Sequence, residues 1–235
     1  MPKLEQAIAD GIAYLDWEGF EVPVDVRLRA HALGAVKAAG DLASIYAAYH
    51  DAITGALTDY FEGGSMAGPK NAFKRAAVEN LGAAFDLGWS DGGGELPADG
   101  DALDWFNARI QQETGFIDQL FENAKALRKE EGADTFGWTN EHADQYTMTV
   151  SDIYNMGKMF ASKNKMLTFT GEDGRPDNIC QRTNGTCVKL KGQRHRASWW
   201  IAHDLVPYRG NPNYDCGAWE CRHYLEDDDG NKFII

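Results

Sequence analysis

Gly171-Glu172-Asp173-Gly174-Arg175-Pro176 divides this chain into two kinds of sequence. Two glycines, a proline and three charged residues in a row leave nothing apolar to bury, which is loop chemistry. Upstream, large apolar residues recur at helical spacing. Downstream, short β-prone pieces alternate with turn residues. This change of period sets the expected fold class: α+β, with a mainly helical N-terminal region and a small module of short antiparallel strands. The expected boundaries are 1–138 for the helical region and 139–235 for the module. Within the module, a leading helix covers about 139–163 and a cysteine-containing, β-rich part covers about 171–235.

Working back from the divide, Tyr146, Val150, Ile153, Tyr154, Met156 and Met159 lie on or near one face of the leading helix. The clearest stripe precedes it: Leu103, Phe106, Ile110, Ile117, Leu120, Phe121, Ala124 and Leu127. Lys125, Arg128 and Lys129 suit the negative end of that helix dipole, and Gly132 is a stop signal. Phe73, Ala77, Leu81, Ala84 and Phe85 form another stripe, begun near Pro69 and broken by Asp91-Gly92-Gly93-Gly94. The segment from Val24 to Phe61 carries Leu42, Ile45, Tyr49, Ile53, Leu57 and Tyr60 at the same spacing.

Working forward, Thr186 to Leu190, Ser198 to Ile201, Cys221 to Leu225 and Lys232 to Ile235 read as short β-prone pieces. Asp229-Gly230 suits the turn of a hairpin between the last two. Glu226-Asp227-Asp228-Asp229 reads as a solvated turn, as short charge runs usually are. Trp199-Trp200 reads as cover for a thin core.

Charge follows the same divide. The chain of 235 residues has a formal net charge of -13, of which residues 171–235 contribute only -1. The acidity of the first 170 residues argues against non-specific nucleic-acid binding, which needs a basic face to displace counterions. The last part holds a basic cluster, Lys189, Lys191, Arg194, His195 and Arg196, able to touch DNA or an acidic partner surface. A hydrophobic content of 43% supplies a core, and no apolar run approaches the ~20 residues of a membrane helix.

All four cysteines lie beyond the divide: Cys180, Cys187, Cys216 and Cys221. Six residues separate the first two and four separate the last two, with His223 close behind. Four thiols in one short segment read as a local clip. A structural zinc site, one or two disulfides, and free buried thiols all remain open on spacing alone.

Several elements in order carry a resemblance. Tyr154-Asn155-Met156-Gly157-Lys158 ends the leading helix. Asp177-Asn178-Ile179-Cys180 follows, then Thr186-Cys187-Val188-Lys189-Leu190-Lys191-Gly192, a loop with Pro207 and Pro212, and Cys221-Arg222-His223-Tyr224-Leu225. This order resembles the C-terminal domain of the phage Mu F-like minor head protein family over roughly residues 140–226. The chain departs from that pattern where Cys180 stands seven residues before Cys187 instead of three, where His223 occupies a position often held by Cys, and where Cys216 is extra. The resemblance implies a structural minor capsid protein of a tailed bacteriophage. It would be assembled in the host cytoplasm, located in the virion head, and some such proteins leave with the DNA. Its partners would be the portal protein and the major capsid or scaffolding protein, with a weak contact to packaged DNA through Lys189, Lys191, Arg194 and Arg196. Any structural zinc would be held by Cys180, Cys187, Cys221 and His223, with Cys216 as an alternative ligand.

The sequence holds no phosphate-binding Gly-x-x-x-x-Gly-Lys loop, no Gly-x-Ser-x-Gly elbow and no His-Glu-x-x-His helix. A structural, non-enzymatic role is therefore expected. The alternative is a zinc-containing, nuclease-like or hydrolytic effector using the same module, with His203, Asp204, Asn211 and His223 near its metal.

Overall fold

The structure, a computed structural model, describes residues 41–63, 65–95, 98, 100–171, 185–218 and 221–233. The described chain is α+β. Five longer helices come first: α1 (Leu42–Phe61), α2 (Ala67–Asp91), α3 (Gly100–Leu127), α4 (Thr135–Thr147) and α5 (Thr149–Ala161). Then follow β1 (Met166–Gly171), α6 (Thr186–Leu190), β2 (Arg194–Arg196), α7 (Ala197–Ala202), β3 (His223–Glu226) and β4 (Lys232–Phe233). The chain divides into two compact units. One runs to Asp86 and resumes over Pro97–Met148; the other comprises Leu87–Leu96 and Thr149–Ile235.

The first unit is built from helical stripes. Asp41 caps α1 by accepting a hydrogen bond from Ser44 N at 2.8 Å, which satisfies one of the amides a helix start leaves open. Ile45, Tyr49, Ile53, Ala56, Leu57 and Tyr60 then bury one face of α1. Phe73 of α2 meets Tyr49, Phe121 and Tyr146 edge to face, at ring-centre distances of 6.1, 6.5 and 5.3 Å. This is the geometry that opposes ring edge to ring face. Lys70 and Lys74 of α2 share Asp118 of α3 at 3.1 and 2.8 Å. The α3 stripe interrupts its apolar run with Arg109 and Glu113. They pair at 2.7 Å and both are buried.

The expected helix from Val24 begins, among the described residues, at Leu42; residues 24–40 lie outside them. The expected single helix over 139–163 is two helices, interrupted at Met148, whose amide bonds back to Asp144 O and Tyr146 O.

In the second unit the sheet order is β2-β1-β3-β4 with every pairing antiparallel. Leu167 and Phe169 of β1 point into the core. Phe169 is its centre. Its ring lies parallel-wise near Trp200 (6.1 Å), Tyr214 (6.2 Å) and His223 (5.2 Å). β3 and β4 form the hairpin expected around Asp229-Gly230. Thr186–Leu190 and Ser198–Ile201, expected as β pieces, are helical instead. Their buried residues are three apart, Cys187 with Leu190 and Ala197 with Trp200. One helical turn buries such a pair on a single face, which overrides the β-propensity of Thr186, Val188 and Ile201. The open amides of α7 bond to Lys165 O and Lys163 O at 2.8 and 3.0 Å.

The acidic turn is also not simply solvated. Asp227 is buried, pairs with Lys165, and accepts hydrogen bonds from Asp229 N, Asn231 N and the Asn231 amide. It is the internal acceptor that shapes the hairpin turn, while Asp228 and Asp229 stay exposed.

Candidate functional site

Three cysteines of the second unit, Cys187, Cys216 and Cys221, lie near Tyr214. Three segments deliver them. The first is α6, which places Cys187 on its buried face. Its start is fastened from outside: Asp215 accepts from Thr186 N, and Asn213 O accepts from the Thr186 hydroxyl, each at 2.8 Å.

The second is the loop from His203 to Ala218, which brings Tyr214 and Cys216. A loop this long needs an internal frame. Asn211, fully buried, donates its amide to Asp204 O and Val206 O, while its oxygen accepts from Asn213 N. Asn213 donates to Asp204 in turn, and the Tyr208 hydroxyl reaches the same carboxylate at 2.8 Å. Tyr214 closes the frame by donating to Leu205 O at 2.7 Å.

The third segment is β3, carrying His223 just beyond Cys221. Gly171 opposes His223 in the β1–β3 register at φ +125°, and a Cβ there would lie 2.3 Å from Arg222 O. Only glycine takes that dihedral without strain and admits so close a backbone. Gly171 thus permits the approach that sets His223 against Phe169.

Cys187, Cys216 and Cys221 take part in no disulfide; the first and last are buried and Cys216 is half-buried. Cys221 Sγ lies 3.9 Å from His223 Nδ1. Its thiol is pulled down to about 5, first by a hydrogen bond from Cys187 and then by His223, against the opposing effect of burial. The Tyr214 phenol is pushed well up, first by burial and then by the nearby thiols of Cys221, Cys187 and Cys216.

The structure therefore joins three members of the sequence-derived ligand set, Cys187, Cys221 and His223, with Cys216 close to the same tyrosine. Cys180 lies outside the described residues. A zinc ion requires about four ligands converging on one point. Among the described residues, no group of three or more His, Cys, Asp or Glu side chains is arranged to hold a metal ion. In the described cluster Cys221 has Cys187 as a hydrogen-bond partner and the His223 imidazole beside it.

Of the residues of the nuclease alternative, Asn211 donates to Asp204 O and His203 directly precedes Asp204. Asp204 and Asn211 hold the loop, and His203 stacks on Trp199 at 4.2 Å. His195 stacks on Trp199 at 3.7 Å, so Trp199 is flanked by two imidazoles, while Trp200 is buried and donates to Leu167 O. In the basic cluster, Arg194 pairs with Asp228 and Arg196 donates to Asn164. Lys189 and Lys191 are exposed. Sequence reasoning missed Phe169 and Tyr214, the two aromatic residues that organise the site. An apolar–polar alternation at Leu167 and Phe169 was the one signal for the strand that carries the first.

Comparison of the chain with family models, with curated proteins and with solved structures gives no match.

Proposed function

We propose that this chain is a structural minor head protein of a tailed bacteriophage, associated with the portal vertex and incorporated during head assembly. One observation carries the reading. The elements that resemble the Mu F-like family, Tyr154 to Lys158, Cys187 to Gly192 and Cys221 to Leu225, all fall in the second compact unit. A helix leads into that unit, and the two cysteine elements meet at the Cys187–Cys221 contact. Shared order in sequence together with convergence in space is what a conserved small module would produce, and it supports the resemblance without depending on any one residue.

In this reading the role is assembly. The portal protein and the major capsid or scaffolding protein are the partners. The helical unit offers them side-chain surface such as Phe136, which is 78% exposed on α4. The strong negative charge leaves contact with packaged DNA to the Lys189–Arg196 edge, as a minor term.

The test is genetic and compositional. The gene is deleted from the phage or prophage that carries it, and purified particles and procapsids are compared by mass spectrometry and electron microscopy. The expected result is a few copies per particle in the intact phage, and heads that are defective or non-infectious without the gene. Absence of the chain from both particles and procapsids would overturn the reading.

A further inference from the structure

The helical unit leaves a groove open beside the point where α1 begins. Its volume is about 860 Å³. Leu42, Ala43, Tyr46 and Ala47 line it from α1, and Thr147 and Met148 from the end of α4. Ala43 and Ala47, one helical turn apart, are exposed, and Met148 is 44% exposed. The lining is thus largely apolar, with small residues that admit a close neighbour. Its acidic residues are Asp51 and Asp144, with His50 between them at 3.8 and 3.3 Å. A second copy presenting the same face would set like charges together, whereas a cationic segment complements it.

Such a segment directly precedes α1, in residues 24–39, outside the described residues. Arg27, Arg29 and Lys37 against Asp25 give it a net charge of +2 in a chain of -13. Leu28, Ala32, Ala35, Val36 and Ala39 recur at helical spacing, and Pro23 suits a helix start. Asp41 is extended, at φ -162° and ψ 170°, so α1 starts afresh there. Only Gly40 and Asp41 then separate the two segments, and helices joined by so short a link run antiparallel. At 1.5 Å per residue the segment spans ~24 Å, against ~14 Å from Leu42 to Asp51. We propose that residues 24–39 fold back along α1 as a helix and occupy the α1–α4 groove. Leu28 and Ala35 face its floor, and Arg27 and Arg29 flank its Asp51 end. The groove is then an intramolecular seat. This inference does not rest on the phage reading and fails or stands independently of it.

The test uses the full chain with a diazirine-bearing phenylalanine in place of the exposed Ala47. It is photolysed at low protein concentration, and the cross-linked peptides are mapped by mass spectrometry. The expected product is an intramolecular cross-link from position 47 to about residues 31–36, as the antiparallel register requires at 1.5 Å per residue. Leu28→Asp combined with Ala35→Asp should remove that cross-link. Val26→Asp, on the opposite side of the segment, should keep it. Circular dichroism and cooperative urea unfolding establish that both variants are folded. Cross-links between copies that grow with concentration would assign the groove to a second copy and overturn the proposal. A probe quenched only by water would leave the groove to a separate partner and overturn it as well. So would cross-links confined to residues 1–23, or equal loss of the cross-link in Val26→Asp.

Discussion

Gly88 shows how much a single position can decide in this molecule. A Cβ built there would sit 1.8 Å from Tyr154 O and 2.7 Å from its carbonyl carbon. The obstacle is backbone, which cannot swing aside as a side-chain tip can. Gly88→Ala is expected to cost about 3 kcal/mol, the upper end for overpacking, read as a lowered urea midpoint with loss of the Tyr154–Asp91 contact. Asp86 acts in the opposite sense. Burial raises its carboxyl to about 6, so between pH 4 and pH 6 the folded chain keeps a proton that the unfolded chain releases. Stability from this group therefore declines as pH rises through that window, and the penalty is complete above it. Asp86→Asn should stabilise by about 2 kcal/mol at pH 7, with no gain below pH 4. Equal gains at both pH values would contradict the assignment. Asp227 has the reverse sign. Burial raises its carboxyl, but Lys165, Asn231 and the backbone amides overcome that effect and hold it far below the usual range. Its contribution is present above the ordinary carboxylate range and disappears as pH falls through the depressed value. Asp227→Asn should flatten the acid limb of the stability curve, and an unchanged limb would refute this.

At the scale of elements, α3 carries the most consequential conflict between pattern and charge. Arg109 and Glu113 occupy core positions one helical turn apart. Removing one partner strands the other charge, so Glu113→Leu alone should cost about 3–5 kcal/mol. The double replacement Arg109→Met with Glu113→Leu should recover most of that loss. A double variant as unstable as the single one in guanidinium titration would show that the pair contributes more than mutual neutralisation. The long helices were legible because each repeats its apolar spacing over several turns. The strands were legible only in part: Asp229-Gly230 between two β-prone pieces gave the β3–β4 hairpin, whereas β2, with three described residues, is too short for any period to register. α6 and α7 each complete little more than one turn, and there tertiary burial of Cys187 and Trp200 outweighs local preference. The site was half legible. Cysteine clustering pointed to Cys187, Cys221 and His223. Their alignment with Phe169 and Tyr214 depends on strand register and on the frame around Asn211, neither of which has a sequence period.

Taken whole, the chain does not partition at one point. Leu87–Leu96 belongs with Thr149–Ile235, although 52 residues of the other unit intervene. That short segment supplies Asp91 to the Tyr154 hydroxyl at 2.6 Å and Gly92 O to the Ser162 hydroxyl. A fragment beginning at Thr149 lacks those partners and should give poorly dispersed amide spectra, where the same residues in the full chain are well dispersed. Equal dispersion in both would show the segment to be dispensable. The sheet has a further consequence, for behaviour at high concentration. Among the described residues its outer strands are the three residues Arg194–Arg196 and the two residues Lys232–Phe233, and Arg194, Arg196 and Lys232 are exposed. An edge this short, fringed with like charge, offers a neighbouring copy almost no ladder to extend. Many copies can thus be crowded together without their sheets fusing into fibres.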